Sequence, residues 1–363
     1  MTVGSATTLT IERLVTPVAK MHRTISRRWF NAAGPPGEAI GSIHDTVAAT
    51  VYNSVRLVGS IAGTGIDYAT KDRHHLTART QAVLNGLWGD ELGRHRNRLE
   101  IPMRLHDQSG EPVPLDRINE VFAAAGPHPV VLVHGFADTE RCWLGKGTEP
   151  GLFETVSDSS PRTPVMIRYN TGRPVSENGI ALSGLLERVC EQWPTPIESI
   201  ALIGHSMGGL VIGRAAVAAQ SAGHDWIRSA TDVITLGTPH RGTPIEQAVA
   251  TLAKGLGVAR ESRPLQEFVN TRSRGIKDLR SGVPPTELPP NIDQHFVAGA
   301  VTQDPSHPAG VLLGDLVVGV ASASGSGETQ PPRATLVGGV RHNELVRNED
   351  VLNHVLDWIQ PRK

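Results

Sequence analysis

The pattern of apolar and polar positions changes character once along the chain. Within residues 1–97, Ile40, Ile43, Val47, Val51, Val55, Val58 and Ile61 recur every three or four places and draw one stripe along a helix. Asp45 and Arg56 stand almost alone on the opposite face, and Gly59, Gly63 and Gly65 loosen the C-terminal end. The stripe reads as a face packed on a main domain; the alternative is a face that docks on lipid or guards an apolar site. From "RLEIPMRLHD" (98–107) onward, short β-rich runs alternate with helical ones. "PVVLVHG" (129–135), "TPVMIRY" (163–169), "SIALIGH" (199–205), "DVITLG" (232–237), "HFVAGAV" (295–301) and "ATLVGG" (334–339) read as strands. Several are apolar throughout, as parallel strands covered on both faces are. Helices are predicted over 177–193 and 208–222 and in the closing "NEDVLNHVLDWI". The expected architecture is α/β: a helical N-terminal extension over 1–97, then a mostly parallel central sheet flanked by helices over 98–363. No strand is predicted between 237 and 295, and a structureless loop of that length is unfavourable, so a helical cap insertion is expected over about 240–290.

Composition narrows the function classes. The 363 residues carry a net charge of −1, which argues against a dedicated nucleic-acid binder. Residues 1–104 hold 13 Lys/Arg and 8 Asp/Glu, a net of +5 that leaves −6 for the remainder. That asymmetry is compatible with peripheral membrane contact through the N-terminal helices. Cys142 and Cys190 are too few for a disulfide framework, and the first 30 residues lack an unbroken apolar run ahead of a cleavage site. A cytoplasmic protein, with membrane association open to it, is the expectation. "LGKGT" (144–148) lacks the Ser or Thr of a phosphate loop, and His74-His75 has no ligand pattern beside it, so no cofactor and no metal is called for.

The chemistry centres on "IALIGHSMGGLV". Gly204-His205-Ser206-Met207-Gly208 fits G-x-S-x-G between a predicted strand and a predicted helix. Such a turn strains the serine backbone and lifts its Oγ clear of the sheet. Glycines flank it because a β-carbon there would strike the neighbouring strand and helix. Ser206 is the candidate nucleophile. An acyl-transfer serine also needs two N–H donors for the oxyanion, and the candidates are Met207, next to the serine, and Phe136, in the loop of "VVLVHGFAD". His134 precedes the serine and reads as a strand-end histidine with a structural hydrogen bond. In strand-turn-helix nucleophile sites the partners follow in the order Ser, acid, His. His342 sits on the loop between "ATLVGG" and the closing helix and is the candidate base, while His354, inside that helix, reads as structural. Asp315 is the preferred acid because the apolar run after it can bury and fix a carboxylate, with Asp304 as the alternative.

These segments together resemble the α/β-hydrolase superfamily. They look most like bacterial lipase/esterase proteins related to the GPI inositol-deacylase (PGAP-type) group. The matching stretches are "VLVHGFAD", "VMIRYNTGRPVSENG", "LIGHSMGGLV", "LGTPHRGTP", "GDLVVGVASA" and "GGVRHNELV…VLNHVLDWI", spanning about 129–359. "VYNSVRLVGSIAGTGIDYA" and "NRLEIPMRL" resemble the helical leader of such proteins. The resemblance implies a Ser206–Asp315–His342 triad acting on small-molecule ester or lipid substrates; the stripe over 40–61, the expected insertion over 240–290 and the apolar residues near the site lean towards hydrophobic acyl esters. It transfers a reaction class and not a substrate. One departure stands out. Relatives often read Gly-Asp-Gly, whereas Leu316 follows Asp315 directly here, as in a loop one residue shorter, and that keeps Asp304 in play. Two other readings use the same residues: an acyltransferase on the same triad, and a non-catalytic scaffold that binds lipid or protein.

Overall fold

The computed structural model describes residues 77–95, 97–243, 273–283, 288–307, 310–311, 314–325 and 334–361. The apolar stripe over 40–61, His74-His75, and residues 244–272 and 284–287 of the span expected to form a cap lie outside them.

Each long apolar run is a strand, and together they form one eight-stranded sheet in the order β2-β1-β4-β3-β5-β6-β7-β8. The parallel part consists of β3 (Pro129–Val133), β4 (Thr163–Arg168), β5 (Ile200–His205), β6 (Ala230–Leu236), β7 (Asp293–Ala300) and β8 (Ala334–Gly338). Every residue of β3 and β5 is buried. β8, at the sheet edge, keeps half-buried and exposed positions. At the other edge a hairpin of β1 (Arg104–His106) and β2 (Pro112–Val113) adds on, with β1 antiparallel to both β2 and β4. Strands of three and two residues are too short to show alternation, which is why the sequence marked only the change of pattern there.

The two-residue period of the strands divides the core. Val131 and Val133 of β3 face one side, where α3 (Val175–Gln192) and α4 (Met207–Ala222) supply Leu182, Leu186 and Val211. Val130 and Leu132 face the other, where α2 (Leu152–Ser159) and the terminal α6 (Glu349–Trp358) supply Leu152, Val156, Leu352 and Val355. Two local signals bound these helices. Asn348 caps α6, its side chain accepting from the Val351 N–H at 3.2 Å, and Gly223 ends α4 at a φ of +71°. Two further helices of eight residues or more are α1 (Ala78–Arg94), kinked at Trp88, and α5 (Arg274–Ser281), which falls in the span expected to be helical.

The loop that leaves β3 is anchored by a buried ion pair. Glu140, fully buried, takes two hydrogen bonds from the Arg168 guanidinium at the end of β4. Burial alone would raise the Glu140 pKa, but the Arg168 hydrogen bond and charge outweigh it and hold the carboxyl below its usual range. Removing Arg168 leaves the Glu140 carboxylate buried and unpaired, and removing Glu140 leaves the half-buried Arg168 guanidinium without its partner. Glu140→Ala should therefore lower the unfolding free energy in urea by about 3 kcal/mol, with the double variant Glu140→Leu/Arg168→Met recovering most of it. A single variant as stable as the parent would show that the pair anchors nothing.

Candidate active site

The turn between β5 and α4 brings backbones into direct contact. A β-carbon on Gly208 would lie 2.0 Å from the Val133 carbonyl oxygen of β3, and one on Gly204 would lie 2.4 Å from the Gly209 nitrogen. No side chain fits at either place, as the sequence pattern required. Between them Ser206 takes φ +52° and ψ −123°, a conformation L-residues rarely adopt. Its N–H donates to the Leu236 carbonyl at 2.8 Å. Its carbonyl accepts from the Gly209 N–H at 3.1 Å and the Thr238 hydroxyl at 2.9 Å. The strained residue is thus fixed from both ends.

The loops after β7 and β8 bring two further candidates together. The His342 Nδ1–H donates to Asp315 Oδ2 at 2.7 Å, and the His342 backbone N–H donates to the Asp315 carbonyl at 3.1 Å. The other carboxylate oxygen, Oδ1, accepts from the Val317 and Val318 N–H groups at 3.0 and 2.8 Å. Asp315 is 1% exposed. Asp304 is exposed and bonds Ser306 in its own loop. Gly237 joins serine to pair: it follows Leu236, which holds the Ser206 N–H, and a β-carbon on it would meet Asp315 Oδ2 at 3.0 Å and His342 Cε1 at 3.2 Å. His205, beside the serine, donates its Nε2–H to the His342 carbonyl at 3.0 Å. Burial, reinforced by the charge of His342, pushes the His205 pKa down to about 3, so its ring is neutral.

The loop after β3 arrives from the opposite side. A β-carbon on Gly135 would lie 3.0 Å from the Ser206 β-carbon. Among the described residues neither the Phe136 N–H nor the Met207 N–H enters a hydrogen bond, and Met207 opens α4, where helix N–H groups favour negative charge. His134 is buried against Tyr169, its Nδ1–H donating to the Gly135 carbonyl at 2.9 Å, which is the structural role expected of it. His354 stacks on Trp358. His240, two residues past Thr238, is buried, and burial pushes its pKa to about 4. It lines a cleft with Leu210, Val233 and Phe296 that includes neither Ser206 nor His342.

Among the described residues only three non-glycine residues have positive φ: Ala137 at 54°, Ser206 at 52° and Leu316 at 77°. One follows Phe136, one is the serine and one follows Asp315. Leu316, directly after Asp315, takes a left-handed φ that favours glycine, and here leucine bears it. No sequence signal marked Ala137.

A mostly parallel sheet flanked by helices, with a serine on the strand-to-helix turn after β5, defines an α/β-hydrolase fold. Residues 170–277 match the PGAP1-like alpha/beta domain family, a stretch that contains Ser206 and ends before Asp315 and His342. Among solved structures the chain is similar to a mature lipase from Bacillus licheniformis, with 20% identity over 72% of this chain and 100% of that one and a TM-score of 0.45. It is also similar to Staphylococcus hyicus lipase, with 15% identity over 64% and 94% of the two chains and a TM-score of 0.41. An esterase from Rhodococcus sp. gives 14% identity, 71% and 93% coverage and a TM-score of 0.38. No curated protein matches the chain.

Two outcomes follow from this geometry. Leu316→Gly removes a left-handed strain of roughly 1 kcal/mol, so thermal unfolding should show an unchanged or higher Tm; a fall of several degrees would mean the strain is absent. His205 and His240 are buried neutral with folded pKa values of about 3 and 4, below the ordinary 6.5. Only the unfolded chain takes up protons at these sites as pH falls below 6.5, so stability is full above that pH and declines towards pH 4. At pH 5 each histidine should cost on the order of 2 kcal/mol. Urea midpoints at pH 7.5 and 5.0 should differ less in His240→Gln than in the parent, and an equal difference would refute the assignment.

Proposed function

We propose that the protein is a serine ester hydrolase working through Ser206, His342 and Asp315. His342 takes the Ser206 proton through Nε2 as Oγ attacks the acyl carbon. The Phe136 and Met207 N–H groups hold the oxyanion. The tetrahedral intermediate collapses, the alcohol leaves with the proton from His342, and an acyl-serine remains. Water, deprotonated by the same histidine, then releases the acid. Asp315 stays ionised and keeps the proton on His342 Nδ1, leaving Nε2 as the base.

The observation that carries this reading is the 2.7 Å His342–Asp315 hydrogen bond, buried and joined through Gly237 to the strained Ser206. Among the described residues Ser206 Oγ makes no hydrogen bond, so the serine–histidine contact forms when substrate enters, as free sites often allow. Phe136, Met207, Leu316 and Val317, near these groups, are apolar, which supports hydrophobic acyl esters as substrates. Among the described residues no helix is long and apolar enough to cross a membrane. Peripheral contact through the N-terminal stripe belongs to this proposal as a route to lipid substrates.

The test is turnover of nitrophenyl esters with short, medium and long acyl chains by the protein and by Ser206→Ala. Turnover should fall at least about a thousandfold in the variant. Preference for long chains would mark a lipase and preference for short ones an esterase. A variant as active as the parent would refute the scheme.

A further inference from the structure

The segment after β4, residues 169–173, lies against the loop that carries Phe136 and holds it at two points. The Tyr169 hydroxyl donates to the His134 carbonyl at 2.9 Å. The Ala137 N–H, the peptide immediately after Phe136, donates to Thr171 Oγ1 at 3.0 Å. Thr171 is 1% exposed, and Ala137 is one of the three strained residues.

This segment is in turn clamped between α1 and α5. Asn170 donates to the Gly89 carbonyl of α1 at 2.9 Å, and the Gly275 N–H of α5 donates to the Gly172 carbonyl at 3.0 Å. A β-carbon on Gly172 would lie 2.0 Å from the Asn85 carbonyl, so backbone rests on backbone. Helix α1 also reaches the Phe136 loop directly: a β-carbon on Gly86 would stand 3.0 Å from both the Ala137 β-carbon and the Phe136 ring. Ser273, which caps α5, donates its N–H to the Leu87 carbonyl at 2.8 Å.

We infer that Thr171 is a positioning residue for the oxyanion donor, and that α1 serves the reaction by bracing the Phe136 loop through it. The inference rests on the reading of Ser206 as nucleophile and Phe136 N–H as donor. The Ala137 N–H sits in the peptide bonded to Phe136, so fixing it orients the Phe136 peptide without occupying its N–H. A strained Ala137 persists only where partners over-determine it, and Thr171 is the partner that its N–H has. Without the hydroxyl the Ala137 peptide loses its buried acceptor and the loop relaxes. A donor displaced by about 1 Å loses much of its effect on the transition state and little on ground-state binding.

The test compares the parent with Thr171→Val, which keeps the shape and removes the acceptor, and Thr171→Ser, which restores it. Thr171→Val should lower kcat on a nitrophenyl ester about ten- to hundredfold with KM within about twofold. Affinity for a trifluoromethyl ketone, which forms an oxyanion on Ser206, should weaken by a similar factor, and Thr171→Ser should restore both. Unchanged kcat and ketone affinity in Thr171→Val, or a loss confined to KM, would overturn the inference while leaving the hydrolase reading intact. Gly86→Val, which presses on the same loop from α1, covers the case in which Thr171→Val fails to fold. It should show the same kcat loss, and full activity in it would overturn the bracing role. A parent that neither turns over esters nor reacts with a fluorophosphonate would overturn the hydrolase reading and this inference with it.

Discussion

The contact between the α4 N-terminus and the end of β3 governs the site. Helix and strand meet backbone to backbone, with room at Gly208 for a hydrogen and nothing larger before the Val133 carbonyl. Because β3 lies between β4 and β5 in the sheet, the same contact sets how the loop after β3 meets the serine. Close-packed interiors do not deform gradually, so the elbow is either seated against β3 or not formed. Once seated, it delivers Ser206 next to Gly135 on one side and to Leu236 and Gly237 on the other.

Among the described residues, positive φ at non-glycine residues falls only where function is proposed. Ala137, Ser206 and Leu316 leave β3, β5 and β7, the strands whose ends surround the site. Around each, hydrogen bonds over-determine the backbone: Thr171 takes the Ala137 N–H, Leu236 and Thr238 hold Ser206, and the Asp315 carboxylate takes the N–H groups that follow Leu316. The cost of such angles is met by the surrounding sheet, which keeps the loops from relaxing into ordinary turns. His205 extends the same economy, its neutral ring linking the elbow to the loop of His342 without placing a charge beside the proposed base.

Much of this was legible in the residues. Short, mostly apolar runs marked the parallel strands, because burial on both faces of the inner ones leaves no polar alternation. The elbow was legible because its glycines answer a steric demand that stands at fixed spacing around the serine. Asp315 was preferred to Asp304, which stayed open as the alternative, because an apolar run follows it; the structure buries Asp315 and exposes Asp304. What escaped was tertiary contact without a local period. The β1–β2 hairpin is too short to alternate. The clamp of α1, residues 169–173 and α5 is made by backbone atoms meeting at glycines 89, 172 and 275, and their partners lie up to about a hundred residues away. Gly86 and Gly89, one turn apart in a helix that they weaken, were the one available hint of close packing. Leu316 hid the left-handed turn because a leucine there reads as an ordinary loop residue.

The position of β8 has a consequence for synthesis. It is the last strand in sequence, it forms the edge of the sheet, and His342 stands on the loop just beyond it. A chain emerging from its N-terminus completes the elbow and the strands around it well before this edge strand exists. Until β8 adds to β7, Asp315 lacks the His342 ring it hydrogen-bonds, and Ser206 lacks its proposed base. On the proposed mechanism the nascent chain is chemically silent, and esterolytic capacity would switch on with the last parallel pairing of the sheet.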